Sequence, residues 1–90
     1  MLYEYIATYG DKYRIDSFKG HRELRKDHLE LLQGKVYYNG KNTLRIETTL
    51  LYEVGQFVSI GGYPCGGRKF RLLELSITDN PVLDKAKIIS

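Results

Sequence analysis

Apolar and polar residues alternate along most of this chain. From Leu2 to Tyr9 an extended strand would carry Tyr3, Tyr5, Ala7 and Tyr9 on one side and Leu2, Glu4, Ile6 and Thr8 on the other. Gly10-Asp11 then supplies turn chemistry, and Lys12 to Phe18 alternates again, with Tyr13 and Ile15 opposite Lys12, Arg14 and Asp16. The pattern predicts a β-hairpin over residues 2–18. Between His21 and Gln33 the period lengthens. Leu24, His28, Leu31 and Leu32 form one stripe at helical spacing, and Gly34 stands where a left-handed C-terminal residue would end a helix. His28 to Gln33 also reads as a strand with Leu29 and Leu31 alternating, so helix and strand both stand at this point.

The second half predicts strands only. Val36-Tyr37-Tyr38 leads into Asn39-Gly40, the strongest short hairpin signal, and Thr43 to Leu51 returns with Leu44, Ile46, Thr48 and Leu50 on one face. Gln56 to Ile60 is a short strand, Gly61 to Gly67 a glycine-rich turn, and Arg68 to Thr78 the longest strand. In that strand Phe70 and Leu72 lie on one parity and Leu73, Leu75 and Ile77 on the other, which predicts a bulge near Arg71–Leu72. Asp79-Asn80-Pro81 stops the sheet, leaving Val82 to Ser90 as a covering segment or a frayed tail. The expected core is Ile6, Ile15, Leu24, Leu31, Val36, Leu44, Ile46, Val58, Leu73, Leu75 and Ile77.

These elements fit one domain over residues 1–90 of mainly β (α+β) class. The expected architecture is a small antiparallel barrel or rolled sheet of about five to six strands, with one short helix near 21–33. The chain has 90 residues, 42% of them hydrophobic, which is enough for a packed core. No apolar run is long enough for a membrane span, and the first residues show no secretory signal, so a soluble, cytoplasmic protein without a membrane partner is expected.

Charge adds more than composition does. The net charge is +3, but it is unevenly spread: Lys12 to Lys26 carries six basic residues against Asp16 and Glu23, and Gly66 to Arg71 adds Arg68, Lys69 and Arg71 with no acid. The remainder of the chain is net negative. Two basic islands on such a background can steer an anionic partner.

Candidate chemistry is sparse. His21 and His28 have no cysteine or spaced acid to complete a metal set, and no metal is expected. Cys65 stands near Arg68 and Lys69, and either histidine could serve it as a base, but spacing places neither and supplies no third group to hold it. The Gly61–Gly67 loop enters a strand and lacks the Gly-Lys-Ser/Thr of a phosphate loop. Val54 to Ile60 resembles one strand of ferredoxin-reductase-type flavin barrels, yet the arginine, tyrosine and serine motif of those enzymes does not follow, and no cofactor is expected. Gly55 to Leu75 resembles, in rhythm only, the closing strands of tailed-phage head–tail connectors.

The sequence therefore predicts a non-enzymatic binding module. The favoured partner is single-stranded nucleic acid or RNA, with Lys12, Arg14, Arg22, Arg25, Lys26, Arg68, Lys69 and Arg71 meeting phosphates and Tyr13, Tyr63 and Phe70 stacking on bases. The alternative is a protein-binding adaptor or inhibitor, such as a virus- or plasmid-encoded inhibitor or a virion connector. It would use a sheet edge and a surface built from the eight tyrosines.

Overall fold

The alternation that dominates the sequence is realised throughout: the computed structural model describes residues 1–90 and contains strands and no helix. The strands are β1 (Tyr3–Thr8), β2 (Arg14–Ile15), β3 (Arg22–Lys26), β4 (Glu30–Gly40), β5 (Thr43–Thr48), β6 (Val58–Gly66), β7 (Lys69–Ile77) and β8 (Lys87–Ile88). They form one eight-stranded sheet in the order β2-β7-β3-β4-β5-β1-β8, with β6 on the other edge of β7. The sheet is mixed, not antiparallel, because β2 and β3 follow one another along the same edge of β7 and both run parallel to it. The strand ladder is not closed into a barrel: beside β8 the chain entering β6 forms an isolated bridge, Phe57 to Lys87, flanked by single backbone hydrogen bonds from Val58 to Ala86 at 3.0 Å and from Ile88 to Gln56 at 2.9 Å.

The predicted helix over 21–33 is a β-hairpin. Asp27 and His28 take left-handed backbone angles, φ 51° and 62°, and the Leu29 N–H donates to the Lys26 carbonyl at 3.0 Å. Two successive left-handed residues are what a tight hairpin turn requires, and Asp tolerates that region. The helical stripe dissolves accordingly: Leu24 is fully buried on β3, whereas Leu29 and Leu31 are exposed. Gly34 ends nothing. It pairs with Thr48 inside the sheet, and a Cβ there would lie 2.8 Å from Leu24 Cδ2 and 2.9 Å from the Glu47 carbonyl oxygen. Its missing side chain is the space that Leu24 occupies. Gly34→Ala is therefore expected to cost about 1–3 kcal/mol, the overpacking range. Urea unfolding checks it; a neutral result would show that Leu24 packs elsewhere.

Two other local readings shift. The Gly10-Asp11 pair does not turn β1 back on itself; the chain instead carries β2 across to β7, where the Arg14 N–H donates to the Arg68 carbonyl at 2.7 Å and the Asp16 N–H to the Phe70 carbonyl at 3.0 Å. The glycine-rich stretch is largely strand, since β6 continues to Gly66. Its outer edge is blunted by Pro64 and by irregular pairing at Gly61/Gly62 and Pro64/Gly66. The β4–β5 hairpin forms, with its turn at Lys41-Asn42 (φ 53° and 58°) just after Asn39-Gly40.

The core gathers Ile15, Leu24, Val36, Leu44, Ile46, Val58, Leu75 and Ile77, as the alternation predicts, together with Ala7, Tyr9, Phe70, Leu72, Ala86 and Ile88. Leu31 and Leu73 are exposed and Ile6 is half-buried. The bulge in β7 falls at Leu73: Gly61 pairs with Glu74 and Gly62 with Leu72, leaving Leu73 as the extra residue. The segment after Pro81 is a cover, with Ala86 and Ile88 fully buried.

On the β4–β5 surface Arg45 bridges Glu47 at 2.6 Å and Glu4 at 3.6 Å and lies 4.2 Å over the Tyr37 ring. The Arg45 hydrogen bond holds the Glu47 carboxyl below the usual carboxylate range. A carboxyl lowered in the folded state stabilises above its unfolded value and loses that contribution as pH falls through the folded one. Glu47→Gln should therefore flatten the acid limb of stability against pH, and only slightly, because the pair is solvent-screened. Denaturant midpoints measured from neutral to acid pH check this.

Candidate nucleic-acid interface

The parallel pairing of β2 with β7 joins the two basic islands. Arg14 stands directly beside Lys69, and parallel partners project to the same face. Arg68 reaches back to the Asp11 carbonyl through its Nη2, which draws the β6–β7 turn towards Lys12. Lys12 lies 5.5 Å from the Tyr13 ring, and Tyr13 packs on Phe70 at 5.1 Å. One end of the sheet thus carries Lys12, Arg14, Arg68 and Lys69 beside the half-buried Tyr13.

The second meeting point is a groove of about 430 Å³ lined by Asp16 to Lys19, Arg22, Tyr63 and Arg71 to Leu73. Tyr63 and Arg71 are register partners across β6 and β7, and they enter the groove from opposite sides of one ladder. The 16–21 connection closes the other wall. Arg22 is fixed there by its Nε–H bond to the Leu72 carbonyl at 3.0 Å and by stacking over Phe18 at 4.3 Å. An arginine held over an aromatic ring keeps a planar cationic face ready for an anion.

None of Lys12, Arg14, Lys19, Arg22, Arg68, Lys69 and Arg71 forms an ion pair; among all lysines and arginines only Arg25 and Arg45 do. Like charges held side by side without counter-ions favour an external anion.

Several expected site residues fall elsewhere. Phe70 is 7% exposed and belongs to the core, so it offers no stacking face to a base. Arg25 is bound to Glu23 at 2.7 Å and to the Leu29 carbonyl, and Lys26 sits beside Ile77 at the far end of β3. β3 carries them about 10–13 Å from Arg22 at strand rise. Phe18, Lys19 and Leu73 also line the groove, beyond the residues that charge and spacing single out. Only the alternation around Phe18 and the excess of base after Asp16 pointed that way.

Tyrosine does not form a patch. Tyr9 is buried; Tyr5 spends its hydroxyl on the Leu50 carbonyl and the Tyr52 N–H, and Tyr37 lies under Arg45. Tyr38 and Tyr63 are the two most open, and they sit on different strands. Cys65 is exposed on β6, and its Sγ contacts only the Tyr63 carbonyl at 3.7 Å. His21 lies against Tyr37, and His28 turns towards β7, so the two histidines share no face. The chain contains no helix and so none that could cross a membrane. Neither a family of known proteins, nor a curated protein, nor a solved structure matches this chain.

Proposed function

We propose that the chain is a nucleic-acid-binding module that holds single-stranded DNA or RNA along the β2–β7 end of the sheet and the Tyr63–Arg71 groove. The observation that carries this reading is the convergence of the two basic islands: Arg14 beside Lys69, and Lys19 with Arg22 around Arg71 and the open Tyr63 ring. Unpaired cations would neutralise phosphates while Tyr63 offers a stacking surface, the combination used by sequence-tolerant single-strand binders. The groove has room for an unpaired base. A protein partner adding a strand is less well served, since Pro64 and the two irregularities interrupt the β6 edge.

Fluorescence anisotropy with labelled single-stranded DNA, RNA and duplex at several salt concentrations tests the reading. Tight binding to single strands that weakens steeply with salt is expected. Absence of binding at low salt, or binding without salt dependence, overturns it and leaves a protein partner.

A further inference from the structure

Beyond the bulge at Leu73, the outer face of β6 and β7 carries a second group of polar side chains that takes no part in the groove. Ser59 and Ser76 are direct partners across the ladder, and Glu74 follows one step along, opposite Gly61. The Glu74 side chain lies over Gly61, where a Cβ would come within 2.6 Å of its carboxyl carbon. The β3–β4 turn caps this patch. Its left-handed His28 donates its backbone N–H to Ser76 Oγ at 2.8 Å, and the Asp27 N–H donates to the Ile77 carbonyl at 3.1 Å.

The imidazole of His28 then spans the patch. Its Nδ1 meets Glu74 Oε1, and its Nε2 lies 3.1 Å from Ser59 Oγ. Ser76 Oγ donates to the other carboxylate oxygen of Glu74 at 2.7 Å and so fixes its plane. A carboxylate only accepts hydrogen bonds, so in the neutral ring Nδ1 carries the proton and Nε2 is left to accept from the Ser59 hydroxyl. That bond is the only one Ser59 Oγ makes.

We infer that Ser59, His28 and Glu74 form a nucleophile, base and orienter for acyl transfer from small carboxylic esters. The roles are recognised by geometry and not by chain order. A donor for the developing oxyanion is also at hand. The Thr78 N–H bonds the Phe57 carbonyl and the Val58 N–H bonds Ala86 on the opposite side. Antiparallel alternation then turns the Ile60 amide, the one following Ser59, towards the open edge of β6. Ser59 is 2% exposed beneath a half-open imidazole, so only a small acyl group gets to it.

In the first step Ser59 Oγ bonds to the ester carbonyl carbon and its proton passes to His28 Nε2. Collapse breaks the carbon–oxygen bond to the leaving alcohol, which takes that proton. Water then attacks the acyl carbon, giving its proton to His28; the carboxylic acid departs and Ser59 regains a proton from His28. Glu74 holds the ring throughout and stabilises its charged form.

Labelling with the small reagent methanesulfonyl fluoride, read by intact and peptide mass spectrometry, tests this on the full chain, with p-nitrophenyl acetate as substrate. One adduct per chain located on Ser59 is expected, with an acetyl group on the same residue after acid quench. Ser59→Ala should lose both, and His28→Gln should slow acetyl release by about 100-fold or more. An unlabelled wild-type protein, or an adduct on a tyrosine or lysine in place of Ser59, overturns the assignment without recourse to any variant's folding.

Discussion

Replacing Arg14, Lys69 and Arg71 together by Ala should weaken single-strand binding by roughly 50-fold at 0.15 M salt and lower the log–log salt slope by about 2. Each phosphate contact on a single strand displaces about 0.7 counter-ions, which is about four-fold in affinity at that salt. These residues suit the test because all three are exposed strand positions without ion pairs, so their loss leaves the core and the ladder intact. A matched triple substitution of Arg25, Lys26 and Lys35, at the far end of β3 and on β4, should change the slope little. Anisotropy titrations at four salt concentrations, with thermal melts to confirm folding, give both quantities. An unchanged slope in a folded triple variant would remove the β2–β7 end from the interface. Tyr63→Ala is the complementary probe: it should lower affinity without moving the slope, because stacking displaces no counter-ions.

How the two basic islands meet was not readable from the chain. Residues 12–14 and 68–69 are separated by more than half the sequence, and their contact depends on β2 joining β7 in parallel. A turn pair such as Gly10-Asp11 advertises a local hairpin, and local signals are all that propensity and alternation contain. The same locality explains the lost helix. Leu24, His28, Leu31 and Leu32 match a helical period by spacing, but sheet pairing with β7 and the room left by Gly34 decide the outcome for Leu24. Where strands are long and one-sided the reading succeeds: Leu44, Ile46 and Thr48 of β5 all face the interior. The serines of the His28 cluster carried no signal at all. Ser59 and Ser76 are ordinary strand residues in sequence, and only the register of β6 on β7, with the β3–β4 turn above, gives them a shared histidine.

Leu75→Ala is expected to destabilise the fold by about 2–5 kcal/mol, whereas Leu73→Ala, two residues away, should stay within about 0.5 kcal/mol. In a regular strand residues two apart face the same way and would respond alike. Here Leu75 is fully buried beside Leu24 and Ile60, its neighbours on β3 and β6, while Leu73 is 52% exposed. The difference is produced by the bulge. Before it, Phe70 and Leu72 point inward with Lys69 and Arg71 outward; after it, Leu75 and Ile77 point inward, with Glu74 and Ser76 on the opposite face, buried beneath the β3–β4 turn. One extra residue therefore lets a single strand present cations to the groove at its start and the Glu74–Ser76 pair to His28 at its end. Equal costs for the two substitutions in urea unfolding would mean that β7 runs without the bulge, and one strand could not then serve both the groove and the His28 cluster on the face away from the core.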